Sequence, residues 1–206
     1  MVFYAVLLLV VTAAFQLLGA LVTWFWIKRF HKHQNSILIA EIVIMILVSA
    51  EILFLGYRKS ALSVFGFLFG LLAVYLLNLY IPHKHVCNFQ RLGLLAFAAM
   101  CFHELPEGIA FGSTFLLDQR LGLLTAALIA LHNIPEGSIC AMPYLLKNKF
   151  RQAMTLTMVT QVLFILGGLG ALFLLVSVDQ TIQSIAASIA AGAMVFIAFE
   201  ELKFLK

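Results

Sequence analysis

The chain has 206 residues, of which 64% are hydrophobic and only 11% are charged, with 19 Phe. A water-soluble domain carries about 25% charged and about 45–50% apolar residues, so this composition leaves too little polar surface for water and places the chain in a bilayer. It excludes a disordered chain and a disulfide scaffold, because the three cysteines, Cys87, Cys101 and Cys140, are few and scattered, and the net charge of +4 forms no basic patch for nucleic acid.

Seven apolar stretches of about 20 residues follow in chain order, at roughly 2–27, 36–57, 60–82, 92–117, 121–144, 153–177 and 181–199. The first lacks a basic leader and is longer than a signal peptide's apolar run, so it reads as a retained helix. The runs are continuous, without apolar/polar alternation, which favours helices over barrel strands. Short connections predict a single transmembrane domain over 1–206, an all-α polytopic membrane helix bundle with seven transmembrane helices. Lys28, Arg29, Lys32, Lys84, Arg91, Lys147, Lys149, Arg151, Lys203 and Lys206 lie in the first, third and fifth loops and the tail, against Arg58, Lys59 and Arg120 on the other side. That asymmetry predicts an outside N-terminus and a cytoplasmic C-terminus, in the plasma (cytoplasmic) membrane.

Of the nine acidic residues, Glu41, Glu51, Glu104, Glu107 and Glu136 fall inside spans, together with His103 and His132, and no Lys or Arg lies well inside one. A mid-membrane carboxylate costs at least about 3 kcal/mol, so these acids need protons, water or bound cations. Glu41, near one end of its span, reads as a protonated, hydrogen-bonded acid; for Glu51 both readings stand.

The remaining acids sit in a duplicated motif. The fourth span reads Phe102-His103-Glu104-Leu105-Pro106-Glu107-Gly108 and the fifth Leu131-His132-Asn133-Ile134-Pro135-Glu136-Gly137. Both are H-x-x-P-E-G, a repeat of a site and not of a packing pattern. His and Glu at i and i+4 share a helix face, close enough to hold one cation together. The intervening proline removes an amide hydrogen and frees the carbonyls of Phe102 and Leu131, while the following glycine permits a bend or a close helix approach. Successive spans run antiparallel, so His103, Glu107, His132 and Glu136 are expected to converge near the membrane midplane, across an approximate two-fold axis. Two imidazoles with two carboxylates suit zinc, iron, manganese or cadmium better than magnesium or calcium. Glu104 and Asn133, each rotated about 100° from its histidine, are placed to form a second site bridged by Glu107 and Glu136. Cys140, one turn beyond Glu136, reads as packing more readily than as a ligand.

At these residues the sequence resembles the ZIP (Zrt-, Irt-like protein) family of divalent metal transporters, with its paired motifs on the fourth and fifth helices. Ala190-Ala191-Gly192-Ala193-Met194 followed by Glu200-Glu201 is similar to that family's seventh helix. The resemblance implies a primary metal site at His103, Glu107, His132 and Glu136, and a second using Glu104, Asn133 and the shared glutamates. It also makes Gln161 the neutral counterpart of a sixth-helix glutamate. The family usually has eight helices and this chain seven, a difference that a partner subunit, as in a homodimer, or a truncation would account for. His83-Lys84-His85-Val86-Cys87 occupies the place of the family's histidine-rich loop, and His31-Lys32-His33 lies on the same side.

The expected function is transport of a divalent transition metal into the cytoplasm, zinc first and iron, manganese or cadmium next, with the ion as bound substrate and no resident cofactor. Since histidine and carboxylate bind metal when deprotonated, uptake is expected to fall as external pH drops toward the imidazole range, unless protons drive transport. The alternative is an intramembrane zinc hydrolase of the seven-helix ceramidase-like type. His103-Glu104-Leu105-Pro106-Glu107 imitates the start of H-E-x-x-H, but lacks its second histidine. The duplication favours transport, because passage between two membrane faces calls for a symmetric site and catalysis does not.

Overall fold

The computed structural model describes the backbone of residues 2–80 and 89–202, and the side chains there except at 2, 30, 31, 34, 77, 80, 89–100, 102, 103 and 201. The described residues are helical, with no strand: α1 (Val2–Phe25), α2 (Ile27–Lys32), α3 (Gln34–Lys59), α4 (Ser63–Tyr80), α5 (Phe89–Leu117), α6 (Gln119–Leu145), α7 (Phe150–Leu174) and α8 (Gln180–Glu201). Helices α1, α3, α6, α7 and α8 are each long and apolar enough to cross a membrane, and α4 contains a shorter apolar segment. The 29 residues of α5 extend about 43 Å at 1.5 Å per residue. Large apolar side chains such as Phe3, Phe65, Phe69 and Leu174 point outward, the reverse of a water-soluble surface, as befits an integral membrane protein.

One element departs from the sequence expectation. The stretch after the first span, read as a loop, winds into α2, because Ile27 packs against the cluster of Ala20, Ala141, Tyr144, Leu145 and Ala153 while Lys28, Arg29 and Lys32 stay exposed. The helix boundaries elsewhere have local causes. Asp118 is the single residue between α5 and α6, and its Oδ1 accepts from the amides of Arg120 (2.9 Å) and Leu121 (3.2 Å), capping α6. Asp179 caps α8 in the same way through Thr181 and Ile182. Between α6 and α7 the chain turns through Asn148 at φ 57°, the left-handed region that asparagine tolerates.

The helices pack as two groups. Helices α1, α5, α6 and α7 form one, with α1 against α6 and α5 against α7, whereas α3, α4 and α8 form the other, with α4 against α8; contacts of α8 with α5 and of α3 with α6 join them. A continuous apolar core through both groups includes Leu9, Met45, Ile52, Phe111, Ile129, Phe164, Leu172 and Met194. Lipid tails offer no hydrophobic drive between helices, so tight pairing depends on small residues that let backbones touch. The α4–α8 pair shows this: a Cβ on Gly70 would lie 1.9 Å from the Ile189 carbonyl oxygen, and one on Gly192 2.0 Å from that of Phe67.

Candidate metal site

The one-residue junction at Asp118 makes α5 and α6 an antiparallel hairpin, and the crossing is tight, since a Cβ on Gly122 would sit 2.5 Å from Phe115 Cα. Counting back from that turn at 1.5 Å per residue, Glu107 and His132 lie roughly 16 and 21 Å along their helices, in the interior of helices long enough to span a bilayer core of about 30 Å. There the two motifs meet. His132 Nε2 lies 3.1 Å from Glu107 Oε1 across the hairpin and 3.9 Å from Glu136 Oε2 one turn along its own helix. All three side chains are buried, and among the described residues they form a group whose ligand atoms lie within 4.8 Å of one another. His103 is on α5 one turn before Glu107; its side chain lies outside the described residues, as does the loop His83-Lys84-His85-Val86-Cys87.

Both prolines sit inside uninterrupted helices, so Pro106 and Pro135 break neither α5 nor α6. The glycines that follow the motif glutamates do bring helices together, though not α5 to α6. A Cβ on Gly137 would fall 2.0 Å from the backbone oxygen of Gln16 on α1, and one on Gly108 2.0 Å from that of Phe164 on α7. Similarly, a Cβ on Gly19 would meet the Ile134 oxygen at 2.0 Å and one on Gly167 the Leu105 oxygen at 2.5 Å. The motif repeat of 29 residues is therefore matched by a repeat of 148 between the helices that clamp it, as 16 pairs with 164 and 19 with 167. The internal symmetry thus extends from the site to its supports.

Those supports deliver polar groups to the second row of motif residues. Asn133 Nδ2 donates to the Thr12 carbonyl (3.2 Å). Its counterpart Glu104 is fully buried, and its Oε1 accepts from two amides, Gln16 Nε2 and Gln161 Nε2, each at 2.5 Å. Gln161 Nε2 also donates to Gln16 Oε1 (2.7 Å), and the Thr160 hydroxyl lies 2.9 Å from that same oxygen and 2.9 Å from the Thr157 carbonyl. The buried amide oxygens Asn133 Oδ1 and Gln161 Oε1 have no hydrogen-bond partner among the described residues.

Of the residues expected at the site, then, Glu107, His132 and Glu136 lie together, Glu104 and Gln161 are bonded to each other, and Asn133 is tied to α1. Cys140 is buried outside the ligand group. Glu41 is fully buried on α3, whereas Glu51 is half-buried on the same helix. Gln16 was missed. It is the only amide side chain in the α1 run from Val2 to Phe25, and that isolation in an apolar helix was the available signal.

No curated protein matches this chain. A family model described as the ZIP zinc transporter matches residues 81–203, which takes in both motifs, α7 and α8 and more than half of the chain. The chain belongs to the ZIP family of divalent metal transporters.

Proposed function

We propose that this protein carries divalent transition-metal ions, zinc foremost, into the cytoplasm through the site formed by Glu107, His132 and Glu136, with His103 as a further ligand. The observation that carries the reading is the convergence of one imidazole and two carboxylates, buried in the interior of helices long enough to span a bilayer, with no Lys or Arg well inside a span. The spacing suits the ion. Tetrahedral zinc with ligands at about 2.0 Å sets neighbouring ligand atoms about 3.3 Å apart, and the two separations from His132 Nε2, 3.1 and 3.9 Å, bracket that value. Imidazole in the set favours zinc, iron or manganese over magnesium and calcium. Inward transport is part of the proposal, read with the N-terminus outside as the Lys/Arg asymmetry favours. Family membership supports transport over the hydrolase alternative.

The site works by exchanging the ion's water for carboxylate and imidazole in a dry environment, and the ion neutralises glutamates that would otherwise be costly there. Release to the other face requires movement of the helices that bear the motifs. The grouping of α1, α5, α6 and α7 apart from α3, α4 and α8 supplies two bodies that can shift against each other. Radioactive zinc uptake into proteoliposomes tests the proposal: folded Glu107→Ala and Glu136→Ala proteins should lose uptake, and wild-type rates in either would sink it.

A further inference from the structure

The duplicated architecture has one conspicuous asymmetry. By the 148-residue correspondence, the position equivalent to Gln16 on α1 is Phe164 on α7. Phe164 is a fully buried core residue; Gln16 is equally buried but carries an amide at the same relative place. That amide is aimed at the site. Gln16 Nε2 and Gln161 Nε2 both donate to the same oxygen of Glu104, and Gln16 Oε1 receives Gln161 Nε2 at 2.7 Å with the Thr160 hydroxyl at 2.9 Å. Three helices, α1, α5 and α7, are thus joined by one closed network around a single carboxylate. Gln16 cannot drift from it, because Gly137 seats the backbone of α1 at residue 16 directly on α6.

We propose that Gln16 is a positioning residue that sets ion specificity by fixing how Glu104 can coordinate. A carboxylate oxygen has two lone pairs in its plane, and Oε1 spends them on two amides. Glu104 cannot chelate a cation through both oxygens without shedding one of these buried bonds. One-oxygen coordination suits an ion of low coordination number such as zinc, whereas calcium takes six to eight oxygens and commonly binds a carboxylate through two. The clamp therefore penalises large oxygen-seeking cations at the paired motifs, where the carboxylates of Glu104, Glu107 and Glu136 would otherwise attract them. This inference rests on the proposed transport site, since Glu104 adjoins the ligands His103 and Glu107 on α5.

The test is uptake of zinc and calcium by the full chain in proteoliposomes, comparing wild type with Gln16→Met, which keeps the side-chain length but removes the amide. The KM for zinc is expected to rise about tenfold, the effect of losing a bond to a charged group, while calcium uptake is unchanged or increases, so that the zinc-to-calcium ratio of Vmax/KM falls about tenfold or more. Thr160→Val, which removes only the hydroxyl beside Gln16 Oε1, should move the ratio in the same direction by a smaller factor, and it covers the case in which Gln16→Met fails to fold. A parallel change for both ions, or an unchanged ratio in folded Gln16→Met and Thr160→Val, overturns the proposal, because a merely structural role would lower both rates together. Glu107→Ala, measured alongside, separates the two claims: zinc uptake persisting in that protein removes the transport site itself, whereas its loss with an unaltered ratio in the clamp variants removes only the role of Gln16.

Discussion

The glycine after the second motif glutamate offers a severe test of how the site is built. In Gly137→Ala the new Cβ would lie 2.0 Å from the Gln16 carbonyl oxygen and 2.8 Å from its carbonyl carbon, against 3.4 Å or more in ordinary contact. The obstructing atoms are backbone on both sides, so no flexible side chain can yield, and α1 must back away by about 1.4 Å over that turn. Overpacking of this kind costs about 1–3 kcal/mol. The displacement also has a functional address. It draws Gln16 away from Glu104, now at 2.5 Å, and Thr12 away from Asn133, now at 3.2 Å, both beyond hydrogen-bonding range. Gly170→Ala on α7 is the matched control, because nothing lies within 4 Å of its Cβ, and replacing a helical glycine gains up to about 1 kcal/mol of propensity. Thermal unfolding in detergent, followed by the loss of the monodisperse chromatographic peak, should show a lower midpoint for Gly137→Ala and an equal or higher one for Gly170→Ala, with zinc uptake reduced only in the former. Equal midpoints for Gly137→Ala and wild type would refute the reasoning, because they would mean that the α1–α6 contact is not backbone to backbone.

Other expectations follow from single contacts. His132→Ala removes the imidazole that lies within 4 Å of both glutamates, and zinc affinity, measured by competition with a chelating dye, should weaken by more than the roughly 10–100-fold typical of losing a mere supporting partner. Asp118→Ala strips the α6 N-terminus of its cap and should destabilise the folded protein by about 1 kcal/mol in detergent unfolding curves. Asp179 has its carboxyl held below the usual aspartate range by the backbone amides of Ile182 and then Thr181. Its folded-state pKa is depressed, so the stabilisation is present above about pH 4 and fades as pH falls through the folded value. The gap in melting temperature between wild type and Asp179→Ala should accordingly close on acidification, and a gap that widens would be the wrong sign.

What could be read from the sequence and what could not divide along a physical line. Apolar runs and their charged boundaries report each helix against lipid, so helix existence, the all-α class and the hairpin of α5 and α6 were legible before any coordinates. The proximity of Glu107, His132 and Glu136 was legible too, since i and i+4 on one helix and an antiparallel partner leave little freedom. Helix partners were not. Gly108 and Gly137 were expected to permit a bend or close approach, but nothing local to either motif says that the approaching helix is α7 in one case and α1 in the other. The short α2 was missed because six residues carry too little periodicity to read, and the packing of Ile27 depends on a cluster drawn from α1, α6 and α7.

The same division explains why Gln16 went unnoticed and why it matters. Specificity for a small ion is not a property of ligand identity alone, because the same glutamates could serve larger cations if their oxygens were free to rotate and chelate. It requires the ligands to be held, and in a bilayer only other helices can hold them, since water is excluded and no basic side chain lies deep in the spans. Carboxamides are suited to this. They donate strongly to a carboxylate yet add no charge, so they fix Glu104 without cancelling the negative potential that draws a cation in. Two motif helices provide the ligands, and the helices seated on their glycines provide the constraint. The short motif announces the first in sequence, whereas the second is written across positions 16, 160 and 161, which only the folded bundle brings together.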